Sequence, residues 1–284
     1  MIRKLARTYF REALYAIPAA LFMAFLFALP LLGVLNQSLQ RKDGGGPALE
    51  AWTKIFTTPL FLKVASTTLE ISIGATLCSL LLAYPVAYFL AKQPPRRRVL
   101  YLILVLVPFW TSSLVKSFSL IVLLGHSGII NDLLATVGIG PVKMLFNRIG
   151  VMIGMSHYLI PFMIFPILTS LQNQPPELGR AAAIMGAGKL RIFFQVTLPL
   201  SLPGVMAGAL LVFVLSLGFY IIPALLGGAK DMMFANLVDF YTREVLNWPV
   251  ASAVAVLLTL AASVAAMLLS KIQSGSSIFS EARH

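Results

Sequence analysis

The chain has 284 residues, 58% of them hydrophobic and 11% charged, with a mean hydropathy of +0.88. Soluble domains carry roughly 25% charged residues, so a deficit spread over the whole length excludes a soluble globular fold and points to apolar surface facing lipid. The formal net charge of +12 could serve nucleic acid, but the basic residues fall where membrane topology places them, which leaves no nucleic-acid partner to invoke.

Six apolar segments are long enough to cross about 30 Å of hydrocarbon. They lie near 14–36, 66–91, 98–123, 149–171, 196–222 and 249–271. The reading is an all-α membrane protein: an N-terminal arm over 1–13, a transmembrane domain over 14–271 and a tail over 272–284. The first segment follows Arg3, Lys4, Arg7 and Arg11, as in a signal peptide. It is too long for one and lacks a small-residue cleavage site, so it is expected to be retained as the first helix.

Lys and Arg in the short loops set orientation. One side would hold the N-terminal arm, Lys92, Arg96 to Arg98, Arg180, Lys189, Arg191, Lys271 and Arg283. The other would hold Arg41, Lys42, Lys54, Lys63, Lys143, Arg148, Lys230 and Arg243, spread over longer loops. Both termini are then expected in the cytoplasm.

Cys78, the single cysteine, excludes a disulfide and a thiolate metal site; it reads as an inert core residue. Charges within spans are costly, which singles out Glu70 in the second and Lys116 in the third. Their depths are similar, so they are expected to pair or to line one outward-facing cavity. Alternatively, each reaches the interface on its own. Pro85, Pro108, Pro161, Pro166, Pro199, Pro203 and Pro223 remove backbone donors and favour bent helices around a path.

Over 125–148, Ile129, Ile130, Leu133 and Leu134 recur at helical spacing between Gly128 and Gly138, which predicts a short helix at the outer mouth. His157 is a lone imidazole in the fourth span, expected to bond a neighbouring helix or to sit in the path.

The loop over 172–195 is short and unusual. Pro175 and Pro176 end the preceding span, and Glu177 with the alanines favours a short helix. Gly186 and Gly188 allow a tight turn. Small residues bracketed by prolines suit insertion into a partner's groove. No G-x-x-x-x-G-K-[ST] motif, paired-histidine metal motif or G-x-S-x-G elbow occurs. The chain therefore reads as a non-enzyme that binds no cofactor, and any ATP and Mg²⁺ would sit on another chain.

The run Arg-Ala-Ala-Ala-Ile-Met-Gly-Ala from Arg180 to Ala187, followed by Leu198-Pro199, resembles the Glu-Ala-Ala signature of permeases of ATP-binding-cassette (ABC) importers. Ala181, Ala182, Gly186, Ala187, Leu198 and Pro199 match it, while Arg180 stands where the family has glutamate. AYPVAYFLAK (83–92), LVPFWTSSLVKSFSL (106–120) and IIPALLGGAKDMM (221–233) resemble spermidine/putrescine-type permeases, specifically the first of the two such systems encode. The resemblance implies a type I importer fold in the bacterial inner membrane. Its partners would be a second homologous permease, two ATPases and a periplasmic binding protein, and 172–195 would be the coupling helix. A polyamine, or a related amine or amino-acid derivative, is the implied solute. Its ammonium groups would seek aromatic faces such as Phe109, Trp110, Phe118, Phe219 and Tyr220, residues that could equally face lipid. An ion-coupled secondary transporter is the alternative; it predicts internal repeats and more intramembrane acids.

Overall fold

The structure is a computed structural model. It describes the backbone of residues 2–42 and 48–281 and the side chains of 17, 18, 21–42 and 48–267. The basic side chains of the N-terminal arm and the tail, on which orientation partly rests, lie outside the described residues.

The described chain is helical. In order come α1 (Ile2–Ser38), α2 (Glu50–Thr57), α3 (Pro59–Ala91), α4 (Pro95–Leu106), α5 (Ser113–Leu124), α6 (Ile129–Thr136) and α7 (Arg148–Gln172). Then follow α8 (Pro176–Ile184), α9 (Lys189–Ile192), α10 (Leu198–Leu217), α11 (Ile221–Leu226), α12 (Phe234–Arg243) and α13 (Trp248–Glu281). Among the described residues, six helical stretches are long and apolar enough to cross a membrane: Leu21–Ser38, Pro59–Ala91, Ser113–Thr136, Arg148–Gln172, Lys189–Leu217 and Trp248–Met267.

The third stretch differs from the continuous helix expected over 98–123. After α4 the chain makes a 3₁₀ turn over Val107–Trp110 and is extended at Thr111. Pro108 removes one donor, and the Thr111 hydroxyl donates to the Pro108 carbonyl at 2.7 Å, giving the backbone a local alternative to helix. α5 restarts at Ser113.

Two compact units result, 1–59 with 238–257 and 60–237 with 258–284. In the first, Ala51 and Ile55 of α2 are buried and the Lys54 ammonium lies 5.4 Å from the Tyr241 ring centre.

The second unit is built on α3, α7 and α10. α3 buries Ser72, Ala75, Thr76, Ser79, Ala83 and Ala87, while Ile73, Leu77 and Leu81 are exposed. Phe61, Val64, Ile71 and Leu90 are buried as well, but the small residues between them permit the close backbone approach that, rather than water exclusion, holds helices together in lipid. Cys78 lies on the outward side and is exposed. Its apolar neighbours in sequence reported the membrane span, not the packed face.

α7 meets α3 where the Ser156 hydroxyl donates to the Ala75 carbonyl at 3.2 Å. α7 and α10 approach closely at Gly204 and Gly208. A Cβ on Gly204 would lie 2.5 Å from the Pro166 carbonyl oxygen, and one on Gly208 3.2 Å from that of Met163.

Candidate functional site

The end of the second unit that carries α8 and α9 is tightly fastened. Pro176 starts α8, where a missing N–H is harmless and its φ is already helical. Glu177 sits in the first turn, favourable to the helix dipole. At the other end, the Gly186 N–H donates to the Ala183 carbonyl and the Ala187 N–H to the Ala182 carbonyl, both at 3.0 Å. With Gly186 at φ +85°, this pair of bonds is a Schellman stop. Gly188 has a negative φ of −68° and begins α9. A π-turn over Phe193–Thr197 follows, in which the Leu198 N–H donates to the Phe193 carbonyl. Pro199 cannot donate to the carbonyl four residues before it, and the widened turn precedes this gap.

Two contacts tie the loop to the helices, and a third joins α3 to α10 beside it. Phe193 packs edge-on against Tyr84 and Tyr88 of α3, with ring centres 5.9 and 5.3 Å apart. The Gln174 amide donates to the Thr197 carbonyl at 3.0 Å. The Tyr84 and Ser201 hydroxyls share a hydrogen bond of 2.9 Å. Beside them, the Arg98 guanidinium donates to the carbonyls of Leu90, Ala91 and Gln93 and so caps α3. A cavity of about 840 Å³ opens under α8, with Lys92, Arg98, Arg180 and Lys189 among its lining.

The loop exposes large apolar side chains among charged ones such as Glu177, Arg180, Lys189 and Arg191. Ile184, Met185 and Leu190 are 87%, 80% and 77% exposed. Ala181 and Gly186 are also exposed, whereas Ala182 is buried within the chain. Ala182 therefore packs mostly inward, at 9% exposure, and supports the helix from its inner side. The sequence reading missed Ile184 and Met185, because apolar residues carry no signal in a chain that is apolar throughout.

A second cluster lies within the membrane stretch. Tyr158 of α7 has ring centres 5.9 Å from Phe109, 6.3 Å from Phe162 and 5.1 Å from Phe219. The Lys116 ammonium stands 4.6 Å from the Tyr158 ring centre and 5.9 Å from that of Phe109. Lys116 is buried and does not snorkel. With His157, Tyr158 and Phe109 it lines a cavity of about 180 Å³. Of the residues expected along the path, Lys116, His157 and Phe219 thus come together. Trp110 does not, being 85% exposed on the 3₁₀ turn. The exposed Tyr220 accepts at its carbonyl from the Asn236 amide at 3.0 Å, near α12. Tyr158 was absent from the sequence reading; its spacing of four from Phe162 on one helix face was the available signal.

Glu70 does not pair with Lys116. It pairs with Arg148, the first residue of α7, whose Nε also donates to Asp231 at 3.1 Å. Asp231 is nearly buried and accepts from the Gly228 N–H at 3.1 Å. Arg148 offers a planar fork with several donors, which serves two carboxylates where an ammonium on a distant helix would not. Arg148→Ala is expected to destabilise the chain by about 2–4 kcal/mol, because Asp231 would be left buried without its countercharge. Glu70→Gln should cost under about 1 kcal/mol, its side chain being half exposed. Thermal unfolding of the detergent-purified variants checks the order.

Residues 79–274 match the family of binding-protein-dependent transport system inner membrane components. Over 245 residues the chain is 37% identical to the spermidine/putrescine transport system permease protein PotB of Haemophilus influenzae, covering 84% of this chain and 85% of that protein. Against PotB of Escherichia coli K12 the identity is 34% over 243 residues, covering 83% and 88%. The crystal structure of a bacterial ABC transporter involved in import of the acidic polysaccharide alginate superposes with a TM-score of 0.70, over 96% of this chain and 97% of that one. At 17% identity that likeness speaks for the fold. A further match, with a TM-score of 0.70 and 16% identity, is a bacterial alginate ABC transporter in complex with its pentasaccharide-bound periplasmic protein. A multi-pass chain with six apolar helices, this length and these relatives belongs to the binding-protein-dependent inner-membrane components, as a permease subunit of an ABC importer.

Proposed function

We propose that the chain forms half of the translocation path of a polyamine importer. A second homologous permease completes the path, two ATPases holding ATP and Mg²⁺ drive it, and a periplasmic binding protein delivers the solute. Both termini, α8 and α9 face the cytoplasm. The observation that carries the reading is the exposure of the apolar Ile184, Met185 and Leu190 at the loop that matches the importer signature. An apolar patch on a membrane protein's aqueous side calls for a partner, and a helix ended on both sides by fixed backbone offers one shape to a groove.

Coupling then follows from the fastenings. A displacement of α8 by closing ATPases passes through Phe193 to α3 and through the Gln174 bond to α10. The solute's ammonium groups would meet the faces of Phe109, Tyr158 and Phe219. Spermidine and putrescine, named for the PotB relatives, fit that chemistry; related amines and amino-acid derivatives share it.

The test is uptake by vesicles holding the full complex. Spermidine or putrescine should enter only with binding protein outside and hydrolysable ATP inside, and each should raise the melting temperature of the binding protein. Uptake driven by an ion gradient without ATPases would instead establish a secondary transporter.

A further inference from the structure

The aromatic cluster already contains a cation. Lys116 is 8% exposed, and its ammonium has ring faces where a buried charge ordinarily has a carboxylate. Among the described residues no acid lies within ion-pair distance of it, and Glu70, the acid expected there, pairs with Arg148. The surrounding cavity is small and walled largely by Val86, Val105, Pro108 and Ile160, with His157 and Tyr158 as the other ionisable lining groups.

We infer that Lys116 is an electrostatic barrier that stops inorganic cations from leaking through the path. This rests on the reading of the cluster as part of that path. A fixed charge in a narrow, low-dielectric passage repels like charges far more strongly than it would in water. A path with aromatic faces for organic ammonium groups would also attract sodium or potassium ions, which the membrane potential pulls inward. Lys116 itself occupies the Tyr158 ring, 4.6 Å from its centre, on a flexible four-carbon stem. A delivered polyamine brings several ammonium groups and apolar methylenes, and can exchange with Lys116 on Tyr158 while its other groups use Phe109 and Phe219. A single hydrated ion has no such exchange to offer.

The experiment compares the wild-type complex with Lys116→Met, Lys116→Gln and Lys116→Arg, reconstituted at matched amounts in vesicles with an imposed potassium gradient. Cation and anion leak are followed during turnover with ATP and binding protein. Lys116→Met and Lys116→Gln should raise potassium leak by about tenfold, the effect of removing about 1.4 kcal/mol of barrier. Lys116→Arg should stay as tight as wild type, and chloride leak should not rise with potassium leak. Equal potassium leak in all four complexes overturns the barrier. So does a parallel rise in chloride leak, which would mean a packing hole. If Lys116→Met and Lys116→Gln fail to assemble, Lys116→Arg decides between charge and packing: a leak-tight arginine complex supports the barrier and a leaky one overturns it. A wild-type complex whose ATPase ignores binding protein and solute would overturn the transport reading instead.

Discussion

Gly186→Trp is expected to lower solute uptake by at least about 30-fold, the loss typical of a hot-spot residue at an interface. Gly186 has φ +85°, and a Cβ built on it meets nothing within 4 Å in the isolated chain. The chain itself therefore has room for a side chain, and two effects remain. Backbone strain costs about 1–2 kcal/mol for an ordinary residue in the left-handed region. The larger effect is bulk on the face beside Met185 that the ATPase would cover. Gly186→Asn separates them, since asparagine tolerates this φ and adds little volume; it should retain most uptake. Uptake by vesicles and co-purification of the ATPase read both variants. A tryptophan variant that assembles and transports normally would remove this face from the docking surface.

Gly204→Val is expected to produce a large loss of stability. A Cβ there would lie 2.4 Å from the Ser170 Cβ and 2.5 Å from the Pro166 carbonyl oxygen, and the backbone cannot swing aside. Overpacking a core typically costs about 1–3 kcal/mol, and a rigid obstacle places this change at the top of that range or above it. Gly74→Ala supplies the contrast. Its Cβ would come within 2.5 Å of Met152, but at the terminal methyl of a flexible side chain. The expected order of unfolding temperatures in detergent is wild type, then Gly74→Ala slightly lower, then Gly204→Val far lower. Equal melting of the two variants would show that α7 and α10 do not depend on close backbone approach.

Apolar runs located helices because lipid imposes a length and a composition on any span. The break at Thr111 was less legible: Pro108 announced a disturbance, but a membrane helix often continues through proline, as α7 does through Pro161 and Pro166. The loop was legible as a pattern of alanines and glycines, yet the pattern does not say which alanine faces inward. Ala182 is buried and Ala181 exposed because a helix turns by about 100° per residue. Pairing was least legible. Glu70 and Lys116 match in depth, but depth leaves rotation and neighbourhood open. The arginine that takes Glu70 is 78 residues away in sequence and reaches it only once α7 lies beside α3.

The middle of α3, with Ser72, Ala75 and Ser79 turned inward and Leu77 and Leu81 turned outward to lipid, has a thermodynamic consequence. Separating α3 from α7 within a bilayer moves apolar groups from protein to acyl chains and hydrates almost nothing. The heat-capacity change of that separation is therefore small, and the packing does not weaken on cooling as a water-driven core does.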